Sequence, residues 1–190
     1  MLLRGKNYLE DRIKQPSKRA IFEPVGLWVL QPGTDHLALN DPTLSAHLKR
    51  YPDTEWFFVV WNIPTEPLSA STLYAFKRVV PPGADPLFDD LWHRFKTGDD
   101  EFRNERFKFL PNVMDGPWAL KAAFARLGGM RPVILGKKLL INHYIGPNYV
   151  ELDIDVGSDR IASFLCNFVF PDATSKVSLR RWTWTPRCAP

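Results

Sequence analysis

An α+β fold, an antiparallel sheet with packed helices, is the architecture that three features of the sequence predict. The run Trp56–Trp61 (WFFVVW) is continuous, apolar and of strand length, as a strand buried on both faces would be. The segments Lys138–Ile145 and Tyr149–Val156 flank Gly146-Pro147-Asn148 and alternate in polarity, which predicts a hairpin. Leu87–Lys96 has helical periodicity, while 17 prolines shorten helices elsewhere and set aside a helical bundle.

Each element follows in chain order. Ile21–Leu30 reads as a strand, with Pro24 marking an edge or a bend. Pro42–Arg50 predicts a short helix behind Asp41, with Leu44 and Leu48 as its apolar pair. Trp56–Trp61 and Thr72–Val80 are expected to pair, joined by a loop over Asn62–Ser71. In the helix Leu87–Lys96, the residues Leu87, Phe88, Leu91, Trp92 and Phe95 share one face, and Gly98 stands where the helix would end. Asp99–Arg106 suits a short helical turn, and Phe107–Val113 reads as a further strand of the sheet. Asp115-Gly116-Pro117 opens another helix, with Leu120, Ala123, Phe124 and Leu127 as its buried stripe. In Tyr149–Val156 the apolar Val150, Leu152, Ile154 and Val156 face the core, and the acidic Glu151, Asp153 and Asp155 face water. Ser158 is expected to cap a last helix from Asp159 to about Phe170, stopped by Pro171.

Charge divides the chain into three parts. Residues 1–20 hold six basic and two acidic residues and carry +4; residues 171–190 hold four and one and carry +3; residues 21–170 carry −3. We read these as a basic N-terminal arm, a single domain and a basic tail. A slightly acidic body argues against a nucleic-acid groove, whereas basic ends suit an anionic membrane surface or are simply solvated. No apolar run approaches the ~18–20 residues of a membrane-spanning helix, and the start lacks the apolar stretch of a signal peptide. The expectation is a cytoplasmic protein, with a peripheral place at a membrane left open.

Chemistry-bearing motifs are sparse. Glu151, Asp153 and Asp155 form the one carboxylate cluster that a divalent metal would suit, but alternation explains the same residues as a wet strand face. His36, His47, His93 and His143 are scattered and read as surface or edge residues. Cys166 and Cys188 are too few and too far apart for a disulfide framework or a zinc site. No nucleophile elbow and no phosphate-binding glycine loop is present.

Arg94–Pro111 (RFKTGDDEFRNERFKFLP) resembles the signature of the Enhanced Disease Resistance 2 C-terminal domain family. Asn7-Tyr8-Leu9, Asp115-Gly116-Pro117-Trp118, Leu135-Gly136-Lys137 and Gly146–Ser158 (GPNYVELDIDVGS) follow that family's order, so the resemblance runs from about Asn7 to Phe170. In plant relatives this domain follows a pleckstrin-homology domain and a START lipid-transfer domain. The resemblance implies a non-enzymatic, lipid-associated module, offers no catalytic residues and no cofactor to carry over, and suggests by analogy a helix-grip-like arrangement. The residues expected to contact membrane lipid are Lys14, Lys18 and Arg19 in the arm and Arg180, Arg181, Trp182 and Trp184 in the tail. In an extended tail the two indoles face one side with Arg180; a late strand, an interfacial anchor and a disordered end are the alternatives. The competing readings of the whole are a protein-interaction module without a lipid ligand and a metal-dependent enzyme built on the acidic strand.

Overall fold

The structure, a computed structural model, describes residues 2–4, 7–63, 69–109, 132–160 and 162–163. Leu2–Arg4 (β1) and Lys14–Pro16 (β2) pair as a small antiparallel ribbon around the turn of helix Tyr8–Asp11 (α1). The main sheet is built from Phe22–Leu30 (β3), Trp56–Ile63 (β4), Ala70–Arg78 (β5), Leu140–Ile145 (β8) and Tyr149–Asp155 (β9), in the order β3-β5-β4-β9-β8. The α+β class is as the sequence predicts. One pairing is not antiparallel: β4 runs parallel to β9, with Phe58 opposite Glu151 and Val60 opposite Asp153. Parallel pairing needs strands covered on both faces, and β4 and β9 are the central, most buried pair.

Side-chain alternation divides β4 between two layers. Trp56, Phe58 and Val60 pack with Leu73 and Ala75 of β5 against helices Leu37–Asn40 (α2) and Pro42–Arg50 (α3). Phe57, Val59 and Trp61 pack on the opposite face with Val150, Leu152 and Ile154. Helices Pro86–Thr97 (α4) and Asp100–Arg106 (α5) cover that second face through Trp92, Phe95 and Phe102. Each fully buried large apolar side chain of this kind contributes roughly 1.5–3 kcal/mol. The sheet therefore has helices on both sides.

Local chemistry explains most boundaries. Asp41 caps α3 by accepting from the Leu44 amide at 2.7 Å, and Leu44 and Leu48 are buried as expected. Pro24 sits at a register shift on the β3 edge, where its missing N–H costs no ladder bond. The hairpin β8–β9 forms, closed by the Gly146 amide donating to Tyr149 O at 3.0 Å.

Four expectations need correction. The strand after Phe107 does not join the main sheet; Lys108–Phe109 (β6) pairs only with Val133–Ile134 (β7) in a separate ribbon. Leu87 and Leu91 are 80% and 42% exposed, because α4 is rotated to bury Phe88, Trp92 and Phe95 instead. The last helix is capped by Asp159, which accepts from the Ala162 amide; Ser158 instead accepts from the Leu140 amide and donates to Asp155 O. The loop between β4 and β5 is shorter than expected, since Asn62, Ile63, Ala70 and Ser71 are all paired. The helix expected at Pro117, with its stripe Leu120 to Leu127, and both cysteines lie outside the described residues. Among the described residues no helix is long and apolar enough to cross a membrane.

Candidate functional site

Buried polar groups in this fold are concentrated on helix ends. Asn148, 8% exposed, donates from Nδ2 to Leu48 O and Tyr51 O, satisfying carbonyls that the end of α3 leaves open. Arg103, also 8% exposed, does the same for α4: Nε donates to Phe95 O at 2.8 Å and Nη2 to Lys96 O at 3.0 Å. Its third contact is Asp100 Oδ1 at 2.9 Å, and the same oxygen lies 3.0 Å from His143 Nδ1, so Asp100 ties α5 to β8. Asn148, Arg103 and Asp100 fall inside two of the strings that carry the family resemblance, Gly146–Ser158 and Arg94–Pro111.

The densest such arrangement lies under α2. Alternation on β9 puts Tyr149, Glu151 and Asp153 on the face that packs against α2 and α3. Glu151 is fully buried and Asp153 is 2% exposed, which overturns the expected wet face. The strand pattern alone was misleading because the short segment Asp35–Asn40 crosses over these carboxylates. Glu151 accepts from the Leu37 amide at 2.6 Å and the Ala38 amide at 2.8 Å, one on each oxygen. Asp153 Oδ2 accepts from the His36 amide at 2.9 Å. Three of the four orphan donors that start a helix are thus satisfied by side chains from another strand. Asp155 does not converge with them; it accepts from the Gly157 amide and closes its own turn. Both oxygens of Glu151 are therefore committed to amides, and among the described residues no group of three or more metal-ligating side chains is gathered.

Aromatic groups frame the pair. His36 has φ 41°, stacks on Tyr144 with centroids 4.0 Å apart, and places Nε2 3.1 Å from the Tyr149 hydroxyl. The histidines are thus not ordinary surface groups throughout: His36 is half-buried, the His143 side chain is 0% exposed, and His47 packs on Trp56. Burial holds all three below the ordinary imidazole value, His47 at about 4, with Arg50 and Lys77 adding to its shift. Glu151 moves the other way. Burial, reinforced by the charge of Asp153, pushes it up to about 8 against the opposing pull of the Ala38 and Leu37 amides. Burial likewise raises Asp153 to about 6, although the His36 amide pulls it down. Chemically the site holds three backbone amides on two buried carboxyl groups.

Of the expected membrane-contact residues, Lys14, Lys18 and Arg19 are described, and none shares a hydrogen bond or ion pair with this site. Lys14 stands exposed on β2. Lys18 Nζ meets Asp85 Oδ2 at 2.9 Å and Arg19 lies 3.5 Å from Glu23, both as exposed pairs that solvent weakens. Arg180, Arg181, Trp182 and Trp184 lie outside the described residues. The sequence reading missed two apolar members of the arm: Leu9 and Ile13 are 77% and 57% exposed, beside Arg12 and Lys14. Their signal was present in the sequence, as two aliphatic side chains four apart in an otherwise polar, basic stretch.

The chain belongs to the Enhanced Disease Resistance 2 C-terminal domain family: the family model described as Protein ENHANCED DISEASE RESISTANCE 2, C-terminal, matches residues 1–179. Among curated proteins it is similar to "Protein ENHANCED DISEASE RESISTANCE 2-like" of Arabidopsis thaliana, with 28% identity over 176 residues. That match covers 92% of this chain and 23% of the relative, so the chain spans about a quarter of the curated protein it resembles. No solved structure matches the chain.

Proposed function

We propose that this domain is a non-enzymatic module that binds membrane lipid at its surface and acts peripherally. The observation that supports this reading most is the arm: Leu9 and Ile13 stand exposed among Arg12, Lys14, Lys18 and Arg19. Aliphatic side chains beside cationic ones give the two signals that peripheral binding needs, apolar insertion and attraction to anionic headgroups. The attraction is worth about 1 kcal/mol per basic residue near the surface.

Among the described residues, binding of a lipid tail inside the fold has less support. The depression bordered by Gly136, Lys137, Lys138, Leu139, Leu140 and Ser158 holds about 240 Å³ and is open to solvent. Ligand pockets begin at about 300 Å³ and enclose most of their ligand.

A protein-interaction module is the second reading. It is favoured by Leu87 and Leu91, four apart on α4 and both exposed. Vesicle flotation discriminates the two. The purified chain should float with phosphatidylserine-containing vesicles, and a Leu9→Ser/Ile13→Ser variant should float less while keeping its circular dichroism and melting temperature. A folded protein that ignores every vesicle composition would remove the lipid reading.

A further inference from the structure

The face of β9 beneath α2 holds two buried carboxyl groups that no cationic side chain among the described residues pairs with. Glu151 and Asp153 project from the same side of one strand, two residues apart. Glu151 gives both oxygens to amides, whereas Asp153 gives only Oδ2. Asp153 Oδ1 is buried and has no hydrogen-bond donor among the described residues. A buried carboxylate oxygen without a donor is costly, and a carboxyl proton on the interacting Glu151 would supply one.

Among the described residues the surroundings supply no other charge balance. From the crossing segment come Asp35 and His36; from β8 come Tyr144 and Asn142; from β9 itself comes Tyr149; β4 offers only Phe58 and Val60 opposite the pair. Asp35 adds negative potential rather than relieving it. His36 and the two tyrosines are neutral at physiological pH, since burial lowers the first and raises the others. Two full negative charges on one covered strand face would repel, and among the described residues only the three backbone amides of His36, Leu37 and Ala38 offset them.

We infer that Glu151 and Asp153 share a single proton, and that this proton is a latch holding the segment Asp35–Asn40 over the sheet. With the proton in place the pair carries one charge, which the three amides of His36, Leu37 and Ala38 solvate. When the proton leaves, water must reach both carboxylates, and the cover that lifts is the segment whose amides they hold, rather than α3, which among the described residues makes no hydrogen bond to the pair. The fold thereby contains a local opening, at the start of α2, that mild alkalinity promotes and mild acidity suppresses.

Two measurements on the full chain test the latch without altering it. Carboxyl carbon NMR should show the pair exchanging its last proton well above the ordinary carboxylate range. Hydrogen exchange, corrected for the intrinsic rate, should show the protection of the Leu37 and Ala38 amides falling by up to about tenfold per pH unit between about pH 6.5 and 8. The amides of Val59 and Val60, in the sheet centre, serve as the reference and should not follow. Glu151→Gln, which keeps an acceptor for one amide but removes the shared acid, should flatten the dependence. Titration of both groups near ordinary values overturns the latch. So does a raised titration accompanied by flat, pH-independent protection at Leu37 and Ala38.

Discussion

Glu151 and Leu37, 114 residues apart in the chain, are joined by a 2.6 Å hydrogen bond from the Leu37 amide to the buried carboxyl. This contact binds the last described strand to the start of a four-residue helix that has no side-chain cap of its own. A helix that short does not persist in water, so its stability comes from tertiary contacts. Replacing Glu151 by Ala strips two buried amides of their acceptors, and each such loss costs about 1–3 kcal/mol. The expected destabilisation is about 2–5 kcal/mol in urea unfolding, with Glu151→Gln milder because its carbonyl still accepts one amide. An alanine variant within about 0.5 kcal/mol of wild type would contradict the clamp.

The pH dependence of global stability carries a definite sign. Glu151 and Asp153 are raised in the folded state, so their contribution is complete below their ordinary values of 4.5 and 3.8 and is lost as pH rises through the folded titration, toward about 8. The lowered histidines act oppositely, losing stability as pH falls below 6.5. Above pH 6.5 the acid pair therefore acts with little interference. The melting temperature should decline from about pH 6.5 to 8, and the decline should shrink in Glu151→Gln.

Arg103 is the second clamp. Its guanidinium reaches two terminal carbonyls of α4 and Asp100 together, a planar fork that an ammonium cannot reproduce. Arg103→Ala should cost about 2–4 kcal/mol, from two buried carbonyls left without donors. Arg103→Lys should recover less than half of that loss in the same denaturant titration.

Gly136 tests the packing of the Leu135-Gly136-Lys137 turn against α5. A Cβ at this position would lie 2.4 Å from Asn104 Cα, a backbone atom that cannot step aside. Gly136→Ala should destabilise by about 1–3 kcal/mol, the usual cost of forced overpacking. Its effect should appear in the unfolding midpoint with an unchanged denaturant slope.

The sequence made the fold class legible through β4, whose unbroken WFFVVW run needs cover on both faces, and through the β8–β9 hairpin with its turn residues. It could not reveal that β4 and β9 run parallel, because hydropathy along a strand is the same in either direction. The burial of Glu151 and Asp153 was hidden for a related reason: period-2 alternation says which residues share a face, not whether a distant segment covers it. Leu87 and Leu91 misled in the opposite sense, since both fit the apolar stripe of α4 but the aromatic trio Phe88, Trp92 and Phe95 took the core. The arm's charges were legible, while the exposure of Leu9 and Ile13 depends on α1 making no packing contact that buries them.

The central claim, that the domain meets membrane lipid through its arm, is tested most directly by paramagnetic broadening. Backbone amide signals of the full chain would be recorded with bicelles containing phosphatidylserine and a paramagnetic headgroup lipid. The account predicts strong broadening at Leu9 through Lys14, weakening as salt rises, with the exposed Leu39 on α2 unaffected. Uniform or absent broadening across the arm, with the protein folded, would contradict it.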